Sequence, residues 1–459
     1  MSTEDDLTTA VVRTALEVRL DNLPPAAVAS VELAVLDCLA CAVVGSRVPG
    51  VDGVARWAVA TGGRPESTVV GTDLRTSPPL AALANAVAAH ALDYDDVSLR
   101  MTHPSVSLVP VLLALGEQSG MSGRALLEAY VAGFEVEARI CRVLNPEHYD
   151  RGWHTTGTIG VLGSAMAAAR AYGLDLPAAR HALAIAASTA SGLRKNFGTL
   201  VKPLHAGQSC LHGLEAAGLA RNGVVADDAI MEGPSSYLRV FSTEEGAPML
   251  REVFAPGAEP ELVASGIGLK RFACCGAIHP ALDAVLDLQA SEPFDPDDVE
   301  RVEVRVNPIT PRILIHHVTR RGLEGKFSME YSVAACIADG RAGLGQYTDE
   351  RAGDPRLLDL MRKVDVVVDD DIPVNLAFFP SVVTVELAGG RTLRARVDVP
   401  KGYPEDPFGR DEVVAKVHEC CDGILADKQV GLLVDTVTDL RSCPDVGVLA
   451  EALAVGDGR

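Results

Sequence analysis

Aromatic residues make up only 4% of this 459-residue chain, with two tryptophans among them. Positive charge is also scarce: 41 Lys and Arg face 62 Asp and Glu, a formal net charge of −21. A chain this acidic is a poor partner for nucleic acid or for an anionic membrane surface. No stretch reaches the roughly 18 consecutive apolar residues of a membrane span. The start, MSTEDDLTTA, is acidic and polar, without the basic flank of a secretory or transit segment, so a cytoplasmic location is expected. Of ten cysteines, only Cys38 and Cys41 form a Cys-x-x-Cys, and no second pair follows at zinc-ribbon spacing. That pair lies in an apolar, helix-like run, and reads as helix packing with reduced, buried thiols.

The composition is that of a globular chain, 48% hydrophobic and 22% charged, and the length favours two domains. Ala-rich apolar runs dominate the first 265 or so residues. Helices are predicted over 26–44, 79–92, 108–118, 124–143, 160–172, 176–191 and 207–221, with Gly or Pro at most joints. Such small apolar side chains suit helices buried on more than one side. The pattern changes after about residue 295. Val302, Val304 and Val306 alternate with Arg301, Glu303 and Arg305, and Val364, Val366 and Val368 alternate with Lys363, Asp365 and Asp369. Val383, Val385 and Leu387 lead through Gly389-Gly390 to Leu393, Ala395 and Val397, which predicts a hairpin. Helical periodicity resumes from Asp411. The expected fold is mostly α with an inserted α+β domain: a large helical domain from 1–267 and 401–459, and a smaller antiparallel-sheet domain over 268–400.

Polar clusters interrupt the apolar helices, and buried polar groups are costly unless partnered or used. They are His90-Ala-Leu-Asp93-Tyr-Asp95-Asp96 with Thr102-His103-Pro104-Ser105; Gly152-Trp153-His154-Thr155-Thr156-Gly157; Asn196-Phe197-Gly198-Thr199 with Lys202-Pro203-Leu204-His205-Ala206-Gly207; and Lys270-Arg271-Phe272-Ala273-Cys274-Cys275 with His279-Pro280. A fifth, Lys326-Phe327-Ser328-Met329-Glu330-Tyr331, is weaker. Taken singly, each histidine is most simply a hydrogen-bonded core residue, Asp93 or Asp96 a helix cap, and Lys202 an exposed turn residue. Accumulation argues otherwise. Seven of eleven histidines fall in or beside these clusters (His90, His103, His148, His154, His205, His212 and His279). Together with Lys202, Lys270 and Arg271 they would form a cationic patch in an acidic chain, which a desolvated polycarboxylate requires.

Asp93-Tyr94-Asp95-Asp96 also fits the Asp-x-Asp-Asp pattern of some terpene cyclases, but the shortage of aromatics leaves little to line a carbocation pocket. Asp93, His103 and His154 could bind a metal, yet their spacing matches neither His-Glu-x-x-His nor an EF-hand.

In their order and wording these clusters resemble the MmgE/PrpD family, which includes 2-methylcitrate dehydratase, cis-aconitate decarboxylase and iminodisuccinate epimerase. The Lys-Pro-Leu-His-Ala-Gly run is its most specific signature. The resemblance implies a helical domain built from both chain ends, an inserted lid domain, a homodimer, and an active site between the domains that uses neither metal nor organic cofactor. It implies catalytic roles for Asp93, His103, His154, Lys202, Lys270 and Tyr331, with His205, Arg271 and Cys275 joining Lys202 and Lys270 in binding a small polycarboxylate. The expected activity is that of a carbon–oxygen lyase resembling 2-methylcitrate dehydratase. The decarboxylase branch carries Thr where this chain has Val97 and His where it has Cys275, departures that argue against decarboxylation and leave dehydratase and epimerase chemistry open. A non-catalytic tricarboxylate-binding protein is the alternative of another class.

Overall fold

The computed structural model describes residues 6–98, 102–242, 246–374 and 378–456; the first five residues of the acidic start lie outside them. The chain divides into two compact units, one of residues 1–91, 95–267 and 409–459, the other of 92–94 and 268–408.

The first unit is a stack of helices: α1 (Leu7–Leu16), α2 (Pro25–Gly45), α3 (Val51–Thr61), α4 (Pro78–His90), α5 (Pro104–Ser119), α6 (Gly123–Leu144), α7 (Gly160–Ala171), α8 (Leu176–Ala187) and α9 (Val201–Arg221). Their starts follow ordinary capping chemistry. Asp6, Ser122 and Asp175 each accept a backbone N–H of the first turn of α1, α6 and α8. Prolines open α2, α4 and α5, where a missing N–H is harmless. The alanines of α4 and α9 allow the two helices to pack closely, and Gly207 permits the closest approach, since a Cβ there would lie 2.8 Å from the Leu83 carbonyl oxygen. Gly45 does the same for α2 against α4, where a Cβ would sit 1.8 Å from the Ala88 oxygen. These two crossings fix the ends of α4 and α9 that carry His90 and His205.

Helix α2 is 21 residues long with a mean hydropathy of 2.1 in its most apolar window, enough by length and composition to cross a membrane, yet two thirds of that window is buried within the protein. Its Asp37 is buried and accepts an ion pair from Lys416 at 2.6 Å, on the C-terminal helix Arg410–Cys421. Cys38 and Cys41 are buried on the same helix, and none of the ten cysteines forms a disulfide. Burial pushes the Cys38 thiol well above its usual range, so the pair is packing, not a redox motif.

The second unit carries a four-stranded sheet: β1 (Val299–Val306), β2 (Val364–Val368), β3 (Ser381–Leu387) and β4 (Thr392–Val397), in the spatial order β2-β1-β3-β4. Val302, Val304 and Val306 are fully buried, as are Val383 and Val385. Gly389 and Gly390 both have φ of +84° in the β3–β4 turn, the conformation a glycine pair allows. The all-antiparallel expectation is corrected at one edge. β1 pairs antiparallel with β3, but parallel with β2. The physical reason is the connection: a long segment containing the helix Met329–Asp339 separates β1 from β2, enough chain for a crossover. β2 is an edge strand, and Val368 is about half exposed.

Candidate functional site

Four histidines of the first unit converge. His90 ends α4, and His103 precedes α5 after the turn that contains Asp95 and Asp96. The Asp95 carboxylate is fully buried and lies 3.0 Å from His90 Nδ1 and 3.1 Å from His103 Nδ1. His103 Nδ1 also lies 2.8 Å from the Asp96 carbonyl oxygen. His154, at the start of a short helical turn, has its Nδ1 3.1 Å from His205 Nδ1, so one of that pair donates and the other accepts. Its ring stacks on His90 at 5.9 Å and meets Phe197 edge-on at 5.0 Å. The Nε2 atoms of His90 and His154 are buried with no hydrogen-bond partner among the described residues.

Burial decides the charge of this cluster. Desolvation, followed by the nearby Lys202 ammonium, holds His154 well below the usual imidazole range, and His205 falls to about 4 for the same two reasons. His90 is driven down to about 3 by desolvation, against the pull of Asp95. Burial alone would raise Asp95, but the two imidazoles it serves hold it well below the usual carboxylate range. Its neighbour behaves oppositely. Asp96 rises to about 8 through desolvation, although it accepts the Ser105 hydroxyl at 2.6 Å and the Ser105 N–H at 3.2 Å. That N–H opens α5, so Asp96 also serves the capping role considered for it.

Lys202 is buried, not an exposed turn residue. The predicted helix 207–221 begins six residues earlier, at Val201, because Pro203 is tolerated inside a first turn whose N–H groups lack partners anyway. Lys202 Nζ lies 5.6 Å from the centre of the Phe197 ring.

The second unit gathers a different set. Lys270 is fully buried, donating to the Asp93 carbonyl at 2.9 Å, with its Nζ 3.3 Å from the Asp93 carboxylate. Asp93 has φ of +52°, a left-handed backbone that non-glycine residues seldom adopt and that clusters at functional sites. Lys326 is equally buried and donates to the Ala273 carbonyl at 2.5 Å. Arg271 pairs with Asp283 at 2.7 Å and is partly exposed. The Cys275 backbone N–H donates to the Lys326 carbonyl at 3.0 Å. Tyr331 is buried, and its hydroxyl donates to the Gln346 carbonyl at 2.5 Å.

Thus His103, His154, Lys202 and His205 come together in the first unit, and Asp93 with Lys270 in the second. The sequence reading left His90 and Asp95 out of its candidate set. The signal was present: two imidazoles and a carboxylate in one short polar run. Two other histidines are core residues. His148 bonds the Phe241 carbonyl at 3.0 Å and the Thr158 hydroxyl at 2.7 Å, and buried His279 lies 3.3 Å from the Cys274 carbonyl. A separate cavity of about 560 Å³ in the first unit is lined by Arg13, Glu17, Arg19, Glu135, Arg139 and Phe254, among others, and shares no residue with the imidazole cluster. Of its charges, Arg139 pairs with Glu135, Arg13 with Glu17, and Arg19 with backbone carbonyls.

Residues 10–249 match the MmgE/PrpD N-terminal domain, and residues 272–440 match the MmgE/PrpD C-terminal domain. The chain belongs to the MmgE/PrpD family. Among its MmgE/PrpD relatives, cis-aconitate decarboxylase of Mus musculus is 28% identical over 91% of this chain and 87% of its own length. The Homo sapiens cis-aconitate decarboxylase is 27% identical over 84% and 82%, and that of Aspergillus terreus 24% over 97% and 96%.

Proposed function

We propose that this chain is a lyase that acts by acid–base chemistry on a small di- or tricarboxylate, removing water from a 2-hydroxy acid. The observation that carries the reading is the cluster of buried, neutral imidazoles beside a buried lysine. Neutral imidazoles accept protons, and lysines pair with carboxylates.

In this scheme Lys202 and Lys270 bind the substrate carboxylates and offset the negative charge that develops on carbon and its attached carboxylate. His154 removes the α-proton through its unpartnered Nε2. The electron pair of the broken C–H bond forms the alkene as the C–O bond breaks, and His103, entering this step as the imidazolium with Nδ1–H held by Asp95, gives the departing hydroxyl its Nε2 proton. The activity of the relatives favours a second reading, cis-aconitate decarboxylation, in which a C–C bond to carboxylate breaks and carbon takes up a proton. Val97 and Cys275 weigh against it, since the decarboxylase branch has a hydroxyl and an imidazole at those places.

The test is proton NMR of the purified enzyme in D₂O with 2-methylcitrate, citrate, cis-aconitate and iminodisuccinate offered separately. An alkene formed from a 2-hydroxy acid supports the proposal. Itaconate from cis-aconitate replaces it with decarboxylation, and deuterium uptake without elimination replaces it with epimerisation. No change and no exchange with any compound would leave a binding protein as the better reading. His154→Ala should lower kcat far more than it raises KM; equal changes in both would remove His154 from the proton-transfer step.

A further inference from the structure

We propose that Asp95 is a positioning residue whose one carboxylate holds two imidazoles, His90 and His103, in the Nδ1-protonated form. The inference deepens the acid–base reading above and rests on it for its kinetic consequence, though not for its structural one.

The argument is one of donors and acceptors. An ionised carboxylate only accepts, so each ring nitrogen directed at it must donate. Both Asp95 oxygens lie 3.0 Å from His90 Nδ1, and one of them lies 3.1 Å from His103 Nδ1. The second atom near His103 Nδ1 is the Asp96 carbonyl oxygen, again an acceptor only. Both rings are therefore protonated on Nδ1, and a neutral ring then carries its lone pair on Nε2. The two rings meet edge to face at 4.6 Å, so moving one disturbs the other. The neighbouring Asp96 cannot take over, because its carboxyl oxygens are engaged by Ser105.

The two imidazoles differ in how much they depend on Asp95. His103 keeps the Asp96 carbonyl if Asp95 is changed. His90 has Asp95 as the recorded partner of its Nδ1, and that ring stacks on His154. Replacing Asp95 by Asn supplies one oxygen and one NH₂ group. A carboxamide oxygen can accept from both rings, but both Asp95 oxygens lie 3.0 Å from His90 Nδ1, so in either orientation the NH₂ faces that nitrogen and requires an acceptor there. His90 then satisfies it by moving its proton to Nε2, which turns the lone pair away from the face it now occupies.

The experiment is tautomer-resolved ¹⁵N NMR of ¹⁵N-histidine protein, with His90→Gln and His103→Gln variants assigning the two signals. Wild-type protein should show Nδ1–H for both rings. Asp95→Asn should move His90 to Nε2–H and leave His103 as Nδ1–H. On whichever compound the D₂O assay shows to be turned over, kcat should fall by at least ~10-fold with KM changed by less than ~3-fold, as expected when a carboxylate that sets a tautomer is neutralised. Asp95→Glu, which restores a carboxylate, should return His90 to Nδ1–H. An Nε2–H signal for His90 in wild-type protein would overturn the proposal, and this requires neither a folded Asp95 variant nor a known substrate. So would an Asp95→Asn protein in which kcat falls while His90 stays Nδ1–H, the mark of a merely structural residue. Failure of every substrate in D₂O would remove the lyase reading and leave the tautomer result standing.

Discussion

One polar cluster in each unit buries its groups by a strategy opposite to the other's. In the first, four imidazoles are packed together, three of them (His90, His154 and His205) made neutral by desolvation, with one carboxylate ionised among them. In the second, two lysines are taken fully out of water and tied to the backbone, Lys270 to the Asp93 carbonyl and Lys326 to the Ala273 carbonyl. A buried imidazole can discard its charge cheaply, so several can share a small space and remain able to accept protons. A buried ammonium needs anchors, and anchoring makes it a fixed positive centre. The first arrangement suits moving a proton and the second suits holding an anion.

The sharpest way to break this contrast is Lys270→Met. It leaves the Asp93 carboxylate without its ammonium, which should destabilise the protein by about 3–5 kcal/mol in urea unfolding. A loss under about 1 kcal/mol would mean that the second unit does not depend on its fixed cation. Next in size is Gly45→Ala in the first unit. Its Cβ would collide with the Ala88 carbonyl two residues before His90, and overpacking of this kind costs about 1–3 kcal/mol. Turnover should drop with stability, because the end of α4 must shift; turnover unchanged would show that His90 tolerates movement.

A third prediction uses pH. Asp96 titrates near 8 when folded and near the ordinary carboxylate value when unfolded. A raised folded value means that the unfolded chain releases this proton first, so the contribution of Asp96 to stability declines as pH rises from about 4 to 8. Asp96→Asn lacks that decline. Its melting temperature relative to wild type should therefore rise between pH 5 and 8 and level off above, and a flat difference would show that Asp96 is ionised in the folded protein. On the acid side His90 and His205 act in the reverse sense. Their folded values lie near 3 and 4, so their contribution is complete above about 6.5 and is lost as pH falls towards those values. The smallest effect is expected from Tyr331→Phe. Its hydroxyl is engaged by Gln346, so removing it should cost about 1 kcal/mol of stability and change turnover less than ~3-fold. A loss of ~100-fold would place that hydroxyl on the substrate.

The helical half was legible because Ala-rich runs and proline starts are local signals, and most predicted spans fall within a few residues of α2 and α4 to α9, whereas α1 and α3 had no predicted span. The β3–β4 hairpin was legible for the same reason, through Gly389 and Gly390. Strand direction was not: alternation in Val364–Val368 says which face is buried but nothing about which way the chain runs, and β2 turned out parallel to β1. At the site, the polar clusters stood out against apolar helices, whereas the assignment within His90–Asp96 could not be read. Three aspartates share four positions there, and the left-handed backbone at Asp93 alters the direction of the chain between it and Asp95. Periodicity has no term for such a turn.

The ion pair between Asp37 and Lys416 has a consequence for how the protein comes into being. A ribosome adding about 5–20 residues per second would deliver Lys416 roughly 20–80 seconds after Asp37. Until then helix α2 presents a long apolar surface, and Asp37 waits for the ammonium of Lys416. The nascent chain thus passes through a waiting period in which its greasiest helix lacks its final cover, and that interval is where a holding chaperone would find its grip.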